Sequence, residues 1–410
     1  MDFEALFSAD ARVMQPSLIR RLTGLVNQPD VISFAAGSPS AETFPYSRLT
    51  EIYHDLATVE KGRLFQYSVT RGNAELVEAV RERTARVQGV AASADETMIV
   101  SGSQQGLDFI GRVLLDPGDA AFVEKPSFPG GIDTFATYRA RLFGVTSHDD
   151  GMDAEDLARR VREARAAGHR PKLVYVIPNF QNPSGRLWSL ERRRALLEVA
   201  RAENLLIVED DAYGELYFDG VTTEQRSRLK ALDPEAPILY MSTYSKTLAA
   251  GLRVAWIMGP APVISRLVLA KEVGDLCTST LSQKLTLEFL RRGWMDEHLP
   301  GVRAFYQHKA QLVDAALHKH FRGLGRWTPP RGGLFVWVEL ESAYAIDTWP
   351  VLEASVAEDK VAFIPGKPFF VGGVGRHCLR LSYSNVTDDN IDKGLEKLSR
   401  RLRAARESVV

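Results

Sequence analysis

The segment "STYSKTLAAGLR" sets one lysine, Lys246, behind the hydroxyls of Ser242, Thr243 and Ser245 and ahead of small residues that lead to Arg253. A surface lysine needs no such setting, because a hydrated ammonium is at ease wherever the chain is exposed. Hydroxyls and an arginine beside an amine suit an anion such as phosphate: Thr243 and Ser245 can donate to it, and Arg253 can grip it with two parallel N–H bonds. For the amine to act as a nucleophile it must lose a proton that a free lysine keeps up to a pKa of about 10.4, and burial and nearby positive charge lower that value. Alone, a lysine at the end of a strand is more often a solvated charge.

Three other strand-like runs end in residues of the same kind. After "LLIV" come Glu209, Asp210 and Asp211, followed by Tyr213. Burying carboxylates is costly unless something positive meets them, and a protonated ring nitrogen of a bound cofactor would do so. After "MIV" comes "SGSQQG", where Ser103 and Gln104 open a helix whose free N–H groups and dipole suit phosphate. By itself such a serine is a helix cap. After "LVYVIP" comes "NFQNPSG", with Asn182 ahead of a proline, a pattern that on its own marks a turn. Ligands of open α/β sheets gather beyond the carboxyl ends of the strands, so four such ends taken together point to one site. An amine that forms an imine with an aldehyde cofactor, opposite a carboxylate that keeps the cofactor's ring nitrogen protonated, is pyridoxal phosphate chemistry.

The elements that must position these residues are legible in the pattern. Seven short β-branched runs, "TMIVSG", "AAFVEKP", "ARLFGV", "KLVYVIP", "LLIVEDD", "ILYMSTYS" and "RVAWIMG", alternate with helical stretches such as "GLDFIGRVLL", "MDAEDLARRVREARAAG" and "SLERRRALLEVARAEN". This predicts an α/β fold with a seven-stranded, mostly parallel sheet sandwiched by helices. Only "KTLAAGL" separates the last two strands, too little for a parallel crossover, so the last strand is expected to run antiparallel to its predecessor. The amphipathic stretch "DEHLPGVRAFYQHKAQLVDAALHKHF" leads out of the sheet to a smaller α+β lobe. Its expected strands are "GGLFVWVEL", "VAFIP" and "HCLRLSYS", and its expected helices "WPVLEASVAEDK" and "DDNIDKGLEKLSRRLRAARESVV". The expected division is an N-terminal arm and helix joining the small lobe (1–45), a large cofactor-binding domain (46–298) and a small C-terminal domain (299–410).

The 410 residues are enough for two packed lobes, and 45% apolar with 25% charged residues is the balance of a globular protein. A net charge of -1 shows no basic excess, so neither nucleic acid nor a membrane surface is expected as a partner. The basic clusters Arg192–Arg194 and Arg400–Arg406 fall on helical patterns and read as solvated faces. The start shows no leader pattern and no run of about 18 apolar residues occurs, so a cytoplasmic location is expected. Cys277 and Cys378 lack CxxC spacing or partner histidines, which leaves no metal site in view.

The chain resembles the fold-type I pyridoxal-phosphate-dependent aminotransferases of class I/II, nearest the 2-aminoadipate and kynurenine aminotransferase group, with a likeness to MocR-type catalytic domains. The resemblance runs from "SLIRRL" through "ISFAAGSPSAETFP", "FQYSVTRGNAELVEAV", "SGSQQGLD", "EKPSFPG", "PNFQNPSG", "EDDAYGEL" and "STYSKTLAAGLRVAW" to "LRLSYS". It implies that Lys246 is the Schiff-base lysine and carries the proton to and from the substrate's Cα. Asp210 would pair with the pyridine nitrogen, with Tyr213 and Asn182 at the 3′-oxygen. Ser103, Gln104, Thr243, Ser245 and Arg253 would hold the phosphate, and Arg380 would grip the substrate α-carboxylate. Tyr67 resembles a tyrosine that reaches a phosphate across a dimer interface, which implies a homodimer with shared active sites. Arg20 matches a side-chain selectivity arginine on an N-terminal helix. Two departures bear on specificity: Phe128 stands where relatives usually carry a tyrosine over the cofactor, and "AAGSPS" alters the pocket around Gly37 and Ser38.

The expected activity is therefore transfer of an α-amino group from 2-aminoadipate, an aromatic or a leucine-like amino acid to a 2-oxo acid such as 2-oxoglutarate. A β-lyase or decarboxylase on the same scaffold is the alternative. A ligand-sensing regulator module is a further one, set against by the roughly 30 residues ahead of "ISFAAG", fewer than a DNA-binding domain of ordinary size needs.

Overall fold

The computed structural model of the chain describes residues 3–14, 28, 30–341 and 346–407. Its strands, in chain order, are β1 (Ile32–Ser33), β2 (Thr97–Val100), β3 (Ala120–Lys125), β4 (Arg141–His148), β5 (Gly151–Met152), β6 (Pro171–Val176), β7 (Leu206–Asp210), β8 (Ile238–Thr243), β9 (Ala255–Met258), β10 (Gly325–Trp327), β11 (Phe335–Leu340), β12 (Val361–Ala362), β13 (Ile364–Pro365) and β14 (Cys378–Ser382).

All seven expected strands of the large sheet form, in the order β2-β9-β8-β7-β6-β3-β4, and the two-residue β5 adds an eighth at the edge. β5 pairs antiparallel with the end of β4 through Ser147 and His148. Two residues are too few to show the alternation that marks a strand in sequence. The pairs from β4 through β8 are parallel, and β9 runs antiparallel to both β8 and β2, as the short "KTLAAGL" connection requires. One consequence matters for the site: the carboxyl ends of β2, β3, β6, β7 and β8 lie along the same edge of the sheet.

Side-chain alternation divides the sheet into two buried faces. Phe122, Val174, Val176, Ile207 and Ile238 pack on one face with Leu157, Val161, Leu196 and Ala200 from the helices Ala154–Ala166 and Leu190–Ala202. Val123, Tyr175, Val208, Leu239 and Met241 pack on the other, with Leu107 and Ile110 from Ser103–Leu114 and Ile132 and Phe135 from Pro129–Thr137. Asp153 and Ser189 cap the first pair of helices by accepting from backbone N–H groups of the opening turn, which fixes where each helix begins.

The helix Trp294–His320 runs without a break through the expected 298/299 boundary and leads to a second sheet, ordered β10-β11-β14-β13. "VAFIP" is split at Phe363: β13 joins this sheet, whereas β12 pairs in parallel with β1. That pairing ties residues 32–33 to the C-terminal part of the chain. The helices Thr348–Ala354 and Asp388–Glu407 complete this lobe.

Candidate active site

A cavity of about 320 Å³ opens where the shared strand edge of the large sheet meets β14. Its wall brings together Gly37, Ser103, Gln104, Phe128, Asn182, Asp210, Tyr213, Thr243, Ser245, Lys246, Arg253 and Arg380. These are the candidates from the sequence except Tyr67 and Arg20. Arg20 lies outside the described residues. Tyr67 is 77% exposed and lines no part of its own chain's cavity, which rules out a place in the core. Ser38, Pro39, Ile177, Ala212 and Ala250 also line the wall. Ser38 and Pro39 lie in "AAGSPS", Ala212 in "EDDAYGEL" and Ala250 in "STYSKTLAAGLRVAW", and Ile177 precedes "PNFQNPSG".

Of the three acidic residues that end β7, one serves the cavity. Glu209 points to the face of Ile207 and accepts the backbone N–H of Leu229 at 2.7 Å and of Lys230 at 3.0 Å. Asp211 accepts from Arg228 Nε at 2.7 Å, Asn179 Nδ2 at 2.8 Å and the Tyr240 hydroxyl at 2.9 Å. Asp210, on the face of Val208, takes the Tyr175 hydroxyl at 2.8 Å on Oδ2, while its buried Oδ1 has no partner among the described residues. Burial, opposed by the Tyr175 hydrogen bond, pushes the Asp210 carboxyl up to about 6.

Lys246 follows β8 and reaches the carbonyl oxygen of Gly37, to which its Nζ donates at 3.1 Å. The ammonium lies 6.0 Å from the Tyr213 ring centroid. Burial, together with the positive charges of Arg380 and Arg253, brings its pKa down to about 8, with Asp210 opposing. The fraction of neutral amine near neutral pH is therefore far larger than for a surface lysine.

At one end of the cavity the chain builds a cup for an anion. Gly102 takes φ 89 ahead of the helix Ser103–Leu114, and a Cβ there would fall 1.8 Å from Arg253 Nη2, so only glycine lets the guanidinium settle against the helix start. The first N–H groups of that helix have no acceptor within it. Arg253, in the left-handed region at φ 55, donates to Ser245 Oγ at 3.2 Å, and Ser245 Oγ lies 2.8 Å from Thr243 Oγ1. Gln104 turns its amide to Thr134 Oγ1 (2.7 Å) and the Gly130 carbonyl (3.2 Å), on the helix that Phe128 precedes.

At the other end stands Arg380, 3% exposed, on β14. It donates to Asn182 Oδ1 at 3.0 Å and the Ala35 carbonyl at 2.8 Å, and its Nε has no partner among the described residues. Its guanidinium lies 4.4 Å from the Phe335 ring centroid and 5.3 Å from that of Phe369. Burial lowers its pKa to about 10. Phe335 also packs edge-on against Tyr213, with centroids 5.6 Å apart, so one ring supports both residues. Burial raises the Tyr213 phenol well above its usual range, with Arg380 and Asn182 opposing.

The donor set answers what pyridoxal phosphate presents. An unpartnered carboxylate oxygen stands ready for a ring N–H, an arginine and hydroxyls line a cup for phosphate, and a largely desolvated amine sits between them for the aldehyde. The residues present fit that group.

Residues 29–398 match the family model described as aminotransferase class I and II. The aromatic-amino-acid aminotransferase 1 of Thermococcus litoralis is 36% identical over 98% of this chain and 95% of its own length. The solved kynurenine aminotransferase of Pyrococcus horikoshii, in complex with PMP and kynurenine, superposes with a TM-score of 0.93 at 34% identity, covering 98% of each chain. The α-aminoadipate aminotransferase of Thermus thermophilus, solved with N-(5′-phosphopyridoxyl)-L-leucine, gives 0.87 at 35% identity over 100% of both chains.

Proposed function

We infer the working parts of a chain that belongs to the class I and II aminotransferases and is a pyridoxal-phosphate-dependent aminotransferase of fold type I. When bound, pyridoxal phosphate supplies an aldehyde that condenses with amines and a ring that takes up the electron pair freed at the substrate's Cα. The residues that would hold it are Asp210 at the pyridine nitrogen, Tyr213 and Asn182 at the 3′-oxygen, Phe128 over the ring, and Ser103, Gln104, Thr243, Ser245 and Arg253 around the phosphate.

Arg380 would take the substrate α-carboxylate in a two-bond grip; a buried guanidinium with an idle Nε is suited to such an anion. Holding that carboxylate fixes the Cα within reach of Lys246. Lys246 Nζ would take the Cα proton and hold it for return, a role for which an amine pKa of about 8 is well placed. Phe335, packed against both Arg380 and Tyr213, would hold the two side chains in place. The single observation that carries these assignments is the buried, unpartnered Oδ1 of Asp210 in a cavity that also holds Lys246.

The donors we propose are 2-aminoadipate, aromatic or leucine-like amino acids, with a 2-oxo acid such as 2-oxoglutarate as acceptor. The relatives named for aromatic amino acids, kynurenine and α-aminoadipate support this set. We also propose a cytoplasmic homodimer in which Tyr67 reaches the partner's phosphate. Phe65, Tyr67 and Val69, close in sequence and exposed at 69%, 77% and 68%, are apolar side chains that such an interface would cover. Both cysteines are free, and no described helix is long and apolar enough to cross a membrane.

The test is spectroscopic. The protein reconstituted with pyridoxal phosphate should show a visible absorption band that disappears on adding an amino acid and returns with 2-oxoglutarate, and Lys246→Ala should lack the band. A Lys246→Ala protein with the same band would remove Lys246 from its assigned role.

A further inference from the structure

Asp210 is held by one residue that the sequence motifs do not single out. Tyr175 lies on β6, in register with Val208 on β7, and its fully buried phenol runs along the strands to Asp210, two residues further on. The hydroxyl donates to Oδ2 at 2.8 Å. The helix Pro129–Thr137 is shaped to admit this ring. A Cβ on Gly131 would meet Tyr175 Cε1 at 2.8 Å, and Phe135 meets the ring edge-on with centroids 5.9 Å apart.

The neighbouring carboxylate shows what this contact avoids. Asp211 is answered by an arginine as well as by a phenol and an amide, so its charge is cancelled within the chain. Tyr175 is neutral. It steadies the ionised Asp210 and occupies one oxygen, leaving the negative charge and the other oxygen for a cation in the cavity.

We propose that Tyr175 is a positioning residue for the cofactor's pyridine nitrogen: its hydroxyl fixes Asp210 by Oδ2, keeps the carboxylate ionised and presents Oδ1 to the cavity. The inference rests on the role assigned to Asp210 above. Other charged and titratable groups act on the pair: Lys246 beyond β8 favours the ionised carboxylate, Asp211 on the opposite face of the sheet disfavours it, and Asp210, Glu124 on β3 and Tyr213 all keep the Tyr175 phenol protonated.

Binding of pyridoxamine 5′-phosphate tests this, because it carries the ring and the phosphate but forms no imine with Lys246. Its dissociation constant is measured from about pH 5 to 8 for the wild type, Tyr175→Phe, Gly131→Ala and Asp210→Asn, each first shown to be folded by circular dichroism. Tyr175→Phe is expected to weaken binding about tenfold near pH 7 and to move the acid limb of the profile up by about one pH unit. Gly131→Ala, which crowds the ring but keeps the hydroxyl, should shift the limb in the same direction by less. Asp210→Asn should abolish the limb. Uniformly weaker binding in Tyr175→Phe with the limb unmoved would make the tyrosine a packing residue and overturn the proposal. An unchanged limb in Asp210→Asn would overturn the role of Asp210 instead.

Discussion

Two sets of buried charges lie within a few residues of each other at the end of β7 and are treated in opposite ways. Behind the sheet, Arg228 meets Asp211 at 2.7 Å, Arg83 meets Glu215 through two bonds of 2.7 Å, and Gln88 adds a third contact to Glu215 at 2.9 Å. In front, among the described residues, Asp210 has one oxygen on a neutral phenol and the other idle, Arg380 donates to an amide oxygen and a carbonyl rather than to a carboxylate, and Lys246 Nζ donates to a carbonyl. Acidic and basic side chains occur in both places, so residue type does not separate structure from function. What separates them is whether the charge is satisfied within the chain: the first set holds the fold together, and the second is left incomplete for ligands.

Substitutions should therefore fall into two classes, and the sharpest break is at Lys246. Lys246→Ala should lower the transamination rate at least about 10³-fold with the folded protein intact, checked by steady-state rates beside a denaturation curve. The converse is Arg228→Ala, which strands Asp211 in the interior and should lower stability by about 3–5 kcal/mol, read from the denaturant midpoint. If Arg228→Ala left the midpoint in place, the distinction between the two sets would fail. Arg380→Lys keeps the charge but loses the two-bond grip. It should cut kcat/KM for amino acids by about 10–100-fold with little change in stability, as kinetics on a donor panel would show.

The smallest effect concerns pH. With its pKa brought down from 10.5 to about 8, folded Lys246 binds fewer protons than the unfolded chain between those values. By linkage, its contribution makes the cofactor-free protein more stable as pH rises through that window and less stable below it. Lys246→Met should flatten that rise by about 1–3 kcal/mol, measured as the difference in denaturation midpoints between pH 7.5 and 10.5 for the two proteins.

Much of this architecture is readable from residue patterns. Short apolar runs gave all seven strands of four to eight residues in the large sheet, and the short "KTLAAGL" link gave the reversed direction of β9. The two-residue strands β1 and β5 escaped because so short a segment has no period, and the expected strand "VAFIP" forms as two pieces, β12 and β13, because its halves pair with different strands, one of them β1 at the other end of the chain. Ser103, Gln104, Thr243 and Ser245 were legible because they stand at the ends of strands, and Arg253 because it closes the same short link before β9. Tyr175 was not: it sits inside an apolar strand, where a phenol reads as core.

The sequence alone determined the strand ends and their chemistry, because local periodicity and the rule that ligands meet carboxyl strand ends need no distant contacts. Local pattern could not decide which of Glu209, Asp210 and Asp211 faces the cavity, since alternation assigns them to opposite faces without saying which face is open; only the family resemblance pointed to Asp210. The tertiary structure decided that. It packed Arg228 and the N–H groups of Leu229 and Lys230 against two of the three, and brought Arg380 from β14, 170 positions beyond Asp210 (380 − 210), to the cavity served by the third. Charge satisfaction depends on what lies within a few ångströms, and only the folded chain sets those neighbours.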